Sequence, residues 1–411
     1  MKRLLFILYK VSLLVFFMAS MHSWFTWGVK THYIGLGVFF VSVLFVVTNK
    51  VKLHKWGRFI IISLLLIVSG MFGLDPGNKV GLLAPFFLVL PCSVLFLIRD
   101  RAILHGVFEF IANFFAKLLP ISLVVFYLSL AIDLPRVGTL EPYLYKYGTF
   151  ANYVVCVTSD SGSIRFSSIF LEPGHLGTIL AFLLFVLKFK LKDWRVVVFS
   201  VSILCSLSLA GVVLSIFGVF LYAYSQGQLR LRKFFVPALV VFILFTGSLM
   251  LNDGNNYLKE KIFDRLKYDS EKGFVGNNRV YGEAISYFED LVRSDEIWFG
   301  MGLEEFRYRL ETSNFGGAGW KVYLMQRGLL SLLCVGLGYV FLAKASSSNF
   351  RYSVAFFVLY ALAFWQRAYP LWASWLILFY LGNRLSDYGL SAPRVGGSLM
   401  YARSAFRNKG V

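Results

Sequence analysis

The sequence predicts an all-α polytopic membrane protein, and three observations carry that prediction. Of the 411 residues, 58% are hydrophobic and only 15% are charged, whereas a soluble domain carries about 25% charged residues. Apolar runs recur along the chain at lengths close to the roughly 17–25 residues that cross a bilayer as a helix. The short segments between these runs are rich in Lys and Arg, so the positive-inside rule accounts for the formal net charge of +19 and no nucleic-acid partner is predicted.

About twelve spans are predicted, within a single integral membrane domain of residues 1–411. Val196–Tyr224 reads either as two short spans or as one helix broken around Ala210-Gly211. Lys2-Arg3 and the apolar run behind it resemble a signal peptide, but Lys10 interrupts that run and no small-residue cleavage site follows, which favours a retained first span. The twelve predicted spans are Leu4–Met21, Tyr33–Thr48, Phe59–Leu74, Val80–Ile98, Leu118–Ile132, Leu176–Val186, Val196–Leu209, Val212–Tyr224, Val236–Leu251, Val322–Ala343, Ser353–Trp365 and Leu371–Leu381.

The connections between the spans predict the orientation. With both termini in the cytoplasm, every short basic segment falls on the cytoplasmic side. Two long polar segments then lie outside, residues 133–175 and residues 252–321. The predicted basic cytoplasmic segments are Asn49–Arg58, Arg99–Arg101, Lys188–Arg195, Gln226–Lys233, Lys344–Arg351 and the tail after Asn383.

Amphipathic helices are predicted beside the spans. Ala102–Lys117 carries a polar stripe and is predicted to lie in the membrane interface, ahead of the fifth span. In the second outer loop, Arg279–Arg293 has apolar residues close to a 3.6-residue period, and one or two amphipathic helices are predicted to lie over the membrane there.

The end of the first outer loop is the leading candidate for chemistry. Arg165, Glu172 and His175 stand there just ahead of an apolar run, with a Pro173-Gly174 turn between them. Ionisable groups at the edge of hydrocarbon are costly and are by default functional candidates. The arginine fork suits phosphate, and Glu172 can act as a general base or as the ion-pair partner of an arginine. The alternative is an interfacial arginine that reaches lipid head groups beside a loop turn.

Further candidates lie later in the chain. Arg279 begins the predicted outer helix, although the residues alone do not favour it over Arg265, Arg293 or Arg307. Lys321, Tyr323 and Arg367 stand at or near the outer ends of predicted spans. We predict substrate-binding roles for the last three, although anchoring at the aromatic belt also explains Tyr323. Basic side chains from two outer loops suit a lipid-linked pyrophosphate at the outer leaflet.

No metal or cofactor is predicted. The four cysteines and five histidines have no metal-binding or redox spacing, and the sequence contains no phosphate-binding glycine loop.

Two sets of short motifs resemble a known family. The first is Arg165, Phe170, Glu172, Pro173 and Gly177 entering a span. The second is Arg279, then Phe299-Gly300-Met301-Gly302, then Tyr323-Leu324 and Gly328-Leu329-Leu330. Together with about twelve spans and two large outer loops, these resemble the bacterial O-antigen polymerase (Wzy-like) family, within the O-antigen ligase and polymerase group. The ligase branch usually has a His-Asn pair where this chain has Trp320-Lys321, which favours the polymerase.

The resemblance implies a GT-C-like glycosyltransferase at the periplasmic face of the inner membrane, needing no cofactor. Its partners would be undecaprenyl-pyrophosphate-linked glycans, membrane lipids and a chain-length regulator protein. Arg165 and Arg279 would bind the pyrophosphate. Glu172 would orient an arginine or deprotonate the acceptor, and His175 is a second candidate for that base. A glycan ligase, a lipid-linked oligosaccharide flippase or other transporter, and a scaffold protein are the alternatives.

Overall fold

The computed structural model describes residues 2–141, 148–159, 164–227, 280–347 and 349–387, together with residues 243, 247, 268–269 and 273–274. Most of the predicted ninth span, Val236–Leu251, lies outside these residues. So does Arg279, one of the predicted site residues.

The described chain is mostly helical. Its helices are α1 (Lys2–Ser20), α2 (Thr31–Asn49), α3 (Trp56–Met71), α4 (Lys79–Leu97), α5 (Arg101–Ala131), α6 (Pro173–Val186), α7 (Trp194–Cys205), α8 (Leu209–Ser225), α9 (Glu283–Arg293), α10 (Leu303–Thr312), α11 (Trp320–Ser346), α12 (Phe350–Gln366) and α13 (Ala373–Arg384). Short 3-10 turns cover Trp24–Thr26 and Asp295–Trp298. Among the described residues, α1, α2, α5 and α11 are long and apolar enough to cross a membrane, and α3, α6, α7, α8 and Gly81–Leu97 of α4 are shorter apolar helices.

The apolar helices α1–α8 and α11–α13 form one bundle, and within α1–α8 and within α11–α13 successive helices run in opposite directions. At one end, here called the Arg195 end, the His54 N–H donates to the Leu97 carbonyl at 2.8 Å, which joins the chain after α2 to the end of α4. The Lys188 ammonium donates to the Ser386 carbonyl at 2.6 Å, which joins the chain after α6 to the chain after α13. The described basic connections at residues 50–55, 98–100 and 187–193 lie at this end.

The opposite end, here called the Glu172 end, is held by contacts between the remaining connections. The Trp24 N–H, just after α1, donates to the Ile169 carbonyl at 3.0 Å, in the segment that leads to α6. The Ser20 and Ser374 hydroxyls lie 3.1 Å apart, so the end of α1 meets the start of α13.

Helix α6 lies in the middle of the bundle, and its residues from Gly174 to Val186 are all buried. It crosses α8 where two glycines meet: a Cβ atom on Gly211 would lie 2.8 Å from the Gly177 Cα atom. The two backbones can approach this closely because neither residue carries a side chain. The predicted region Val196–Tyr224 forms two helices. The break between them lies at residues 206–208, where Leu207 has a φ of 46°, and therefore ahead of Ala210-Gly211.

The prediction of a separate interfacial helix over Ala102–Lys117 is wrong. It is the first half of α5, which continues without a break to Ala131. Two members of its polar stripe, Glu109 and Asn113, point at the buried guanidinium of Arg195. Arg195 Nη1 lies 2.7 Å from Glu109 Oε2, and Arg195 Nη2 lies 2.7 Å from Asp193 Oδ2.

Short antiparallel strands in the polar loops were not predicted. In the first loop, β1 (Gly138–Leu140), β2 (Phe150–Asn152) and β3 (Val157–Ser159) form a sheet in that order. The second loop contains β4 (Tyr268–Asp269) paired with β5 (Gly273–Phe274), and β6 (Val280–Gly282) paired with β7 (Phe315–Gly317). The amphipathic helix predicted there is present as α9. It packs through Ala284 and Leu291 on a small core of its own, which includes Phe306, Phe315 and Met325.

Candidate functional site

The start of α6 carries a charged pair. Glu172 Oε2 lies 2.6 Å from Arg367 Nη1, and the two side chains are only 20% and 19% exposed. Glu172 has an extended backbone (φ −128°, ψ 135°) and stands immediately before the helix, with Pro173 in its first turn. Proline suits this place because its fixed φ fits the helix and its missing N–H would have no partner there. The predicted Pro173-Gly174 turn is therefore the first turn of α6 itself.

Arg367 comes from the connection between α12 and α13 and reaches α6 because residue 174 is a glycine. A Cβ atom on Gly174 would collide with the Arg367 guanidinium. The N-terminus of a helix carries a partial positive charge, which favours the Glu172 carboxylate and disfavours an unbalanced cation. The pair therefore keeps an arginine at a position where it would otherwise be repelled.

His175 lies beneath this pair and is 1% exposed. Its Nε2 atom is 3.8 Å from Glu172 Oε2. The Trp372 ring approaches it edge-on, with ring centroids 4.8 Å apart, and Tyr369 stacks on Trp372 at 4.0 Å. The imidazole thus lies in an aromatic enclosure, separated from solvent.

His22, which the sequence reasoning missed, lies on another side of His175, with ring centroids 6.1 Å apart. Its carbonyl accepts a hydrogen bond of 3.3 Å from the Leu171 N–H, which ties the chain after α1 to the residue before Glu172. Burial lowers the pKa of His22 and outweighs the opposing effect of the Glu172 charge. His22 follows the first apolar run in the sequence, and only the fold shows that this run ends beside α6.

Arg165 is half-buried at the same end of the bundle, beside the C-terminal end of α7. Its position follows from its neighbour Phe166, whose N–H donates to the Cys205 carbonyl at 3.2 Å. The ring of Phe166 packs on Phe126 of α5, with centroids 5.5 Å apart. The structure therefore joins Glu172, His175 and Arg367 in one cluster and places Arg165 on a neighbouring part of the Glu172 end.

Lys321 and Tyr323 make contacts within the protein. The Lys321 ammonium lies 4.7 Å from the centre of the Phe288 ring on α9. The Tyr323 hydroxyl is 2.8 Å from the Ser331 hydroxyl, which donates in turn to the Ser69 carbonyl of α3. These contacts dock the second loop and α3 onto α11. The predicted substrate-binding roles of both residues stay predictions.

The motif Phe299-Gly300-Met301-Gly302, which follows α9, packs on a kink in α11. The kink is at Gly328, where φ is 73° and ψ is 177°. A Cβ atom there would collide with the Trp298 carbonyl, and the Met301 N–H donates to the Met325 carbonyl at 2.8 Å. Gly300 and Gly328 are therefore needed for a close backbone approach. The two motifs, separate in sequence, form one structural unit.

Arg327, also missed from the sequence, stands at this kink. Its Nη1 atom donates to the Gly70 carbonyl at 2.6 Å and to the Phe72 carbonyl at 2.9 Å. A cation at the C-terminal end of a helix is favoured by the helix dipole. Arg327 therefore fixes the end of α3 to the kinked part of α11.

A cavity of about 520 Å³ opens beside the cluster. Its walls come from the connection between α1 and α2, the connection between α3 and α4, and the start of α10. It shares His22 and Leu171 with the surroundings of Glu172. The Glu172 end thus offers a recessed charged pair and an adjacent open space.

No protein-family profile, curated protein or solved structure matches the chain.

Proposed function

We propose that the protein polymerises undecaprenyl-pyrophosphate-linked oligosaccharide repeat units into O-antigen or a related surface polysaccharide. The observation that carries this proposal is the recessed pair of Glu172 and Arg367 at the N-terminus of α6. A fixed arginine at a helix N-terminus suits a leaving phosphate, because both stabilise negative charge. The resemblance of the motifs around Glu172 and Gly328 to O-antigen polymerases supports the same function.

The proposed setting is the bacterial inner membrane, with about twelve spans in a GT-C-like arrangement. We place the Arg195 end, where the described basic connections lie, and both termini on the cytoplasmic side. The Glu172 end then faces the periplasm, where the lipid-linked repeat units are presented. The alternating direction of helices within α1–α8 and within α11–α13 supports this layout. A chain-length regulator protein is a further proposed partner.

The proposed reaction is a glycosyl transfer that needs no cofactor. A hydroxyl oxygen of the acceptor glycan forms a bond to the anomeric carbon of the donor glycan. The bond from that carbon to the pyrophosphate oxygen breaks, and undecaprenyl pyrophosphate leaves with the electron pair. The proton of the acceptor hydroxyl passes to a base or to solvent. Free energy comes from the sugar–pyrophosphate bond of the donor.

The predicted residues take different roles in this proposal. Arg367, held by Glu172, contacts the pyrophosphate, and Arg165 and Arg279 bind it as the resemblance implies. Of the two roles predicted for Glu172, the 2.6 Å contact with Arg367 Nη1 supports orientation of an arginine. His175 supports the pair from below, because its burial separates it from the acceptor.

The test is complementation of a strain from which this gene has been deleted. Wild-type protein should restore a ladder of long surface glycans. The variants Arg165→Ala, Arg279→Ala, Glu172→Gln and Arg367→Ala should leave single repeat units on the acceptor, although each protein reaches the membrane at wild-type level. Arg293→Ala is the matched control, because this arginine is exposed at the end of α9 and should leave the ladder unchanged.

Three results would contradict the proposal. Long ladders from both Arg165→Ala and Arg279→Ala would remove the pyrophosphate site. Complete loss of attached glycan in the deletion strain would indicate a ligase. Transport of lipid-linked oligosaccharide in proteoliposomes, without any elongation, would indicate a flippase.

A further inference from the structure

The cavity beside Glu172 is lined by residues other than the Glu172 and Arg367 pair. Its volume is about 520 Å³, within the roughly 300–1,000 Å³ typical of sites for small organic ligands. Two cations, Lys30 and Arg307, and two carboxylates, Asp75 and Glu304, line it. All four side chains are exposed at its walls.

This balance of charge selects among possible ligands. A pyrophosphate would gain from the two cations but would be repelled by the two carboxylates. A lipid tail would leave four charged groups facing hydrocarbon. Sugar hydroxyls both donate and accept hydrogen bonds, so they can satisfy carboxylates and cations at once. The lining therefore fits an uncharged oligosaccharide.

The walls of the cavity are also held in place. Trp27 lines it, and its indole N–H donates to the His22 carbonyl at 2.8 Å, which fixes the plane of the ring. A fixed aromatic face offers an apolar surface for the C–H side of a sugar ring. Elsewhere in the lining, Asp75 Oδ1 accepts from the Gly77 N–H at 2.9 Å, and the Leu303 N–H donates to the Gly73 carbonyl at 2.7 Å. The second contact ties the connection carrying Asp75 to the helix carrying Glu304.

The cavity is next to the proposed reaction centre. Leu171 and His22 line it, and Leu171 is the residue before Glu172. A glycan bound in the cavity therefore ends close to the place where the donor pyrophosphate would meet Arg367.

We propose that this cavity binds the acceptor oligosaccharide, with Asp75, Glu304, Lys30 and Arg307 holding its hydroxyls and Trp27 packing on a sugar ring. This inference rests on the proposed function and assigns the second substrate to a place separate from the pyrophosphate site. The donor and the acceptor then meet between Arg367 and His22.

The experiment uses full-length protein in lipid nanodiscs. The probe is the lipid-free repeat-unit oligosaccharide, released by mild acid from the lipid-linked repeat units that accumulate in the deletion strain. Its binding is measured by calorimetry, and elongation of the intact lipid-linked units is measured in parallel. We expect Asp75→Asn and Glu304→Gln each to weaken oligosaccharide binding roughly tenfold, the effect of losing one charged hydrogen bond. At saturating substrate, the elongation rate should match that of the wild type.

The matched control is Glu305→Gln, because Glu305 is the next residue on α10 and pairs with Arg309 at 2.7 Å outside the cavity lining. It should bind the oligosaccharide as the wild type does. Wild-type affinity in both Asp75→Asn and Glu304→Gln, in protein that elongates normally, would overturn the cavity assignment alone. Wild-type protein that binds the oligosaccharide but never elongates lipid-linked units would overturn the proposed function and, with it, the acceptor role.

Discussion

Glu172 Oε2 and Arg367 Nη1 lie 2.6 Å apart and join the start of α6 to the connection between α12 and α13. Both side chains are about one-fifth exposed, so the pair is partly shielded from water. Each partner makes burial of the other less costly. The two residues should therefore behave as one unit in folding.

A double-mutant cycle measures this coupling. We expect Glu172→Gln and Arg367→Gln each to lower the free energy of unfolding in detergent. The double variant should be more stable than the sum of the two losses predicts, with a coupling of roughly 1–3 kcal/mol. The same cycle on Glu305 and Arg309, an exposed pair on α10, should show a coupling below about 0.5 kcal/mol. Additive losses at Glu172 and Arg367 would show that the contact does not contribute to folding.

The Arg195 network should matter for stability but not for chemistry. Arg195→Ala leaves the carboxylates of Glu109 and Asp193 buried without their cation, and such losses cost about 3–5 kcal/mol. We expect a large fall in the melting temperature in detergent, with normal glycan ladders from the protein that still folds, because Glu172 is at the other end of the bundle. Lys192 is an exposed cation in the connection between α6 and α7, and the Lys192→Ala variant should melt as the wild type does. A melting temperature unchanged by Arg195→Ala would contradict the structural role of the network.

Gly328 should not tolerate a side chain. Alanine there would strain a backbone with a φ of 73° and would collide with the Trp298 carbonyl. We expect Gly328→Ala to lower the free energy of unfolding by about 1–3 kcal/mol. Gly336, in the same helix, faces open space, with no neighbouring atom within 4 Å of the place that a Cβ atom would take. Gly336→Ala should therefore keep or raise the stability, by up to about 1 kcal/mol. Equal effects at both positions would argue against the kink.

His22 should make the protein less stable in mild acid. Its pKa is lowered in the folded state by burial, so the unfolded chain binds a proton more readily, from about pH 6.5 downward. Stability should be constant above this pH and should fall as the pH drops below it. His22→Asn should reduce that fall. Identical profiles of stability against pH for the wild type and His22→Asn would contradict a lowered pKa of His22 in the folded protein.

The sequence predicted where the helices lie better than it predicted which residues pack against them. Apolar runs and basic connections are local signals, so most helices and their alternating directions followed from them. The polar stripe of α5 was misread because its partner, Arg195, is far away in the chain, and a buried ion network and an interfacial stripe share the same periodicity. His22 and Arg327 were missed for a similar reason: neither stands in a motif, and only packing brings them to α6 and α3. The Pro173-Gly174 dipeptide was predicted as a loop turn. Proline suits both a loop turn and the first turn of a helix, so the dipeptide alone does not distinguish the two.

The shortness of α6 has a consequence for how substrates arrive. Its 14 residues rise about 21 Å, whereas the hydrocarbon layer is about 30 Å thick. If the bundle crosses the bilayer as proposed, the two ends of α6 cannot both reach the head groups. Where the recessed end is the one that carries Glu172, whose side chain is only 20% exposed, Glu172 stands at the floor of a depression in the outer surface. A polyprenyl pyrophosphate could enter that depression sideways from its leaflet with its tail still in lipid, while a water-exposed glycan would descend from above.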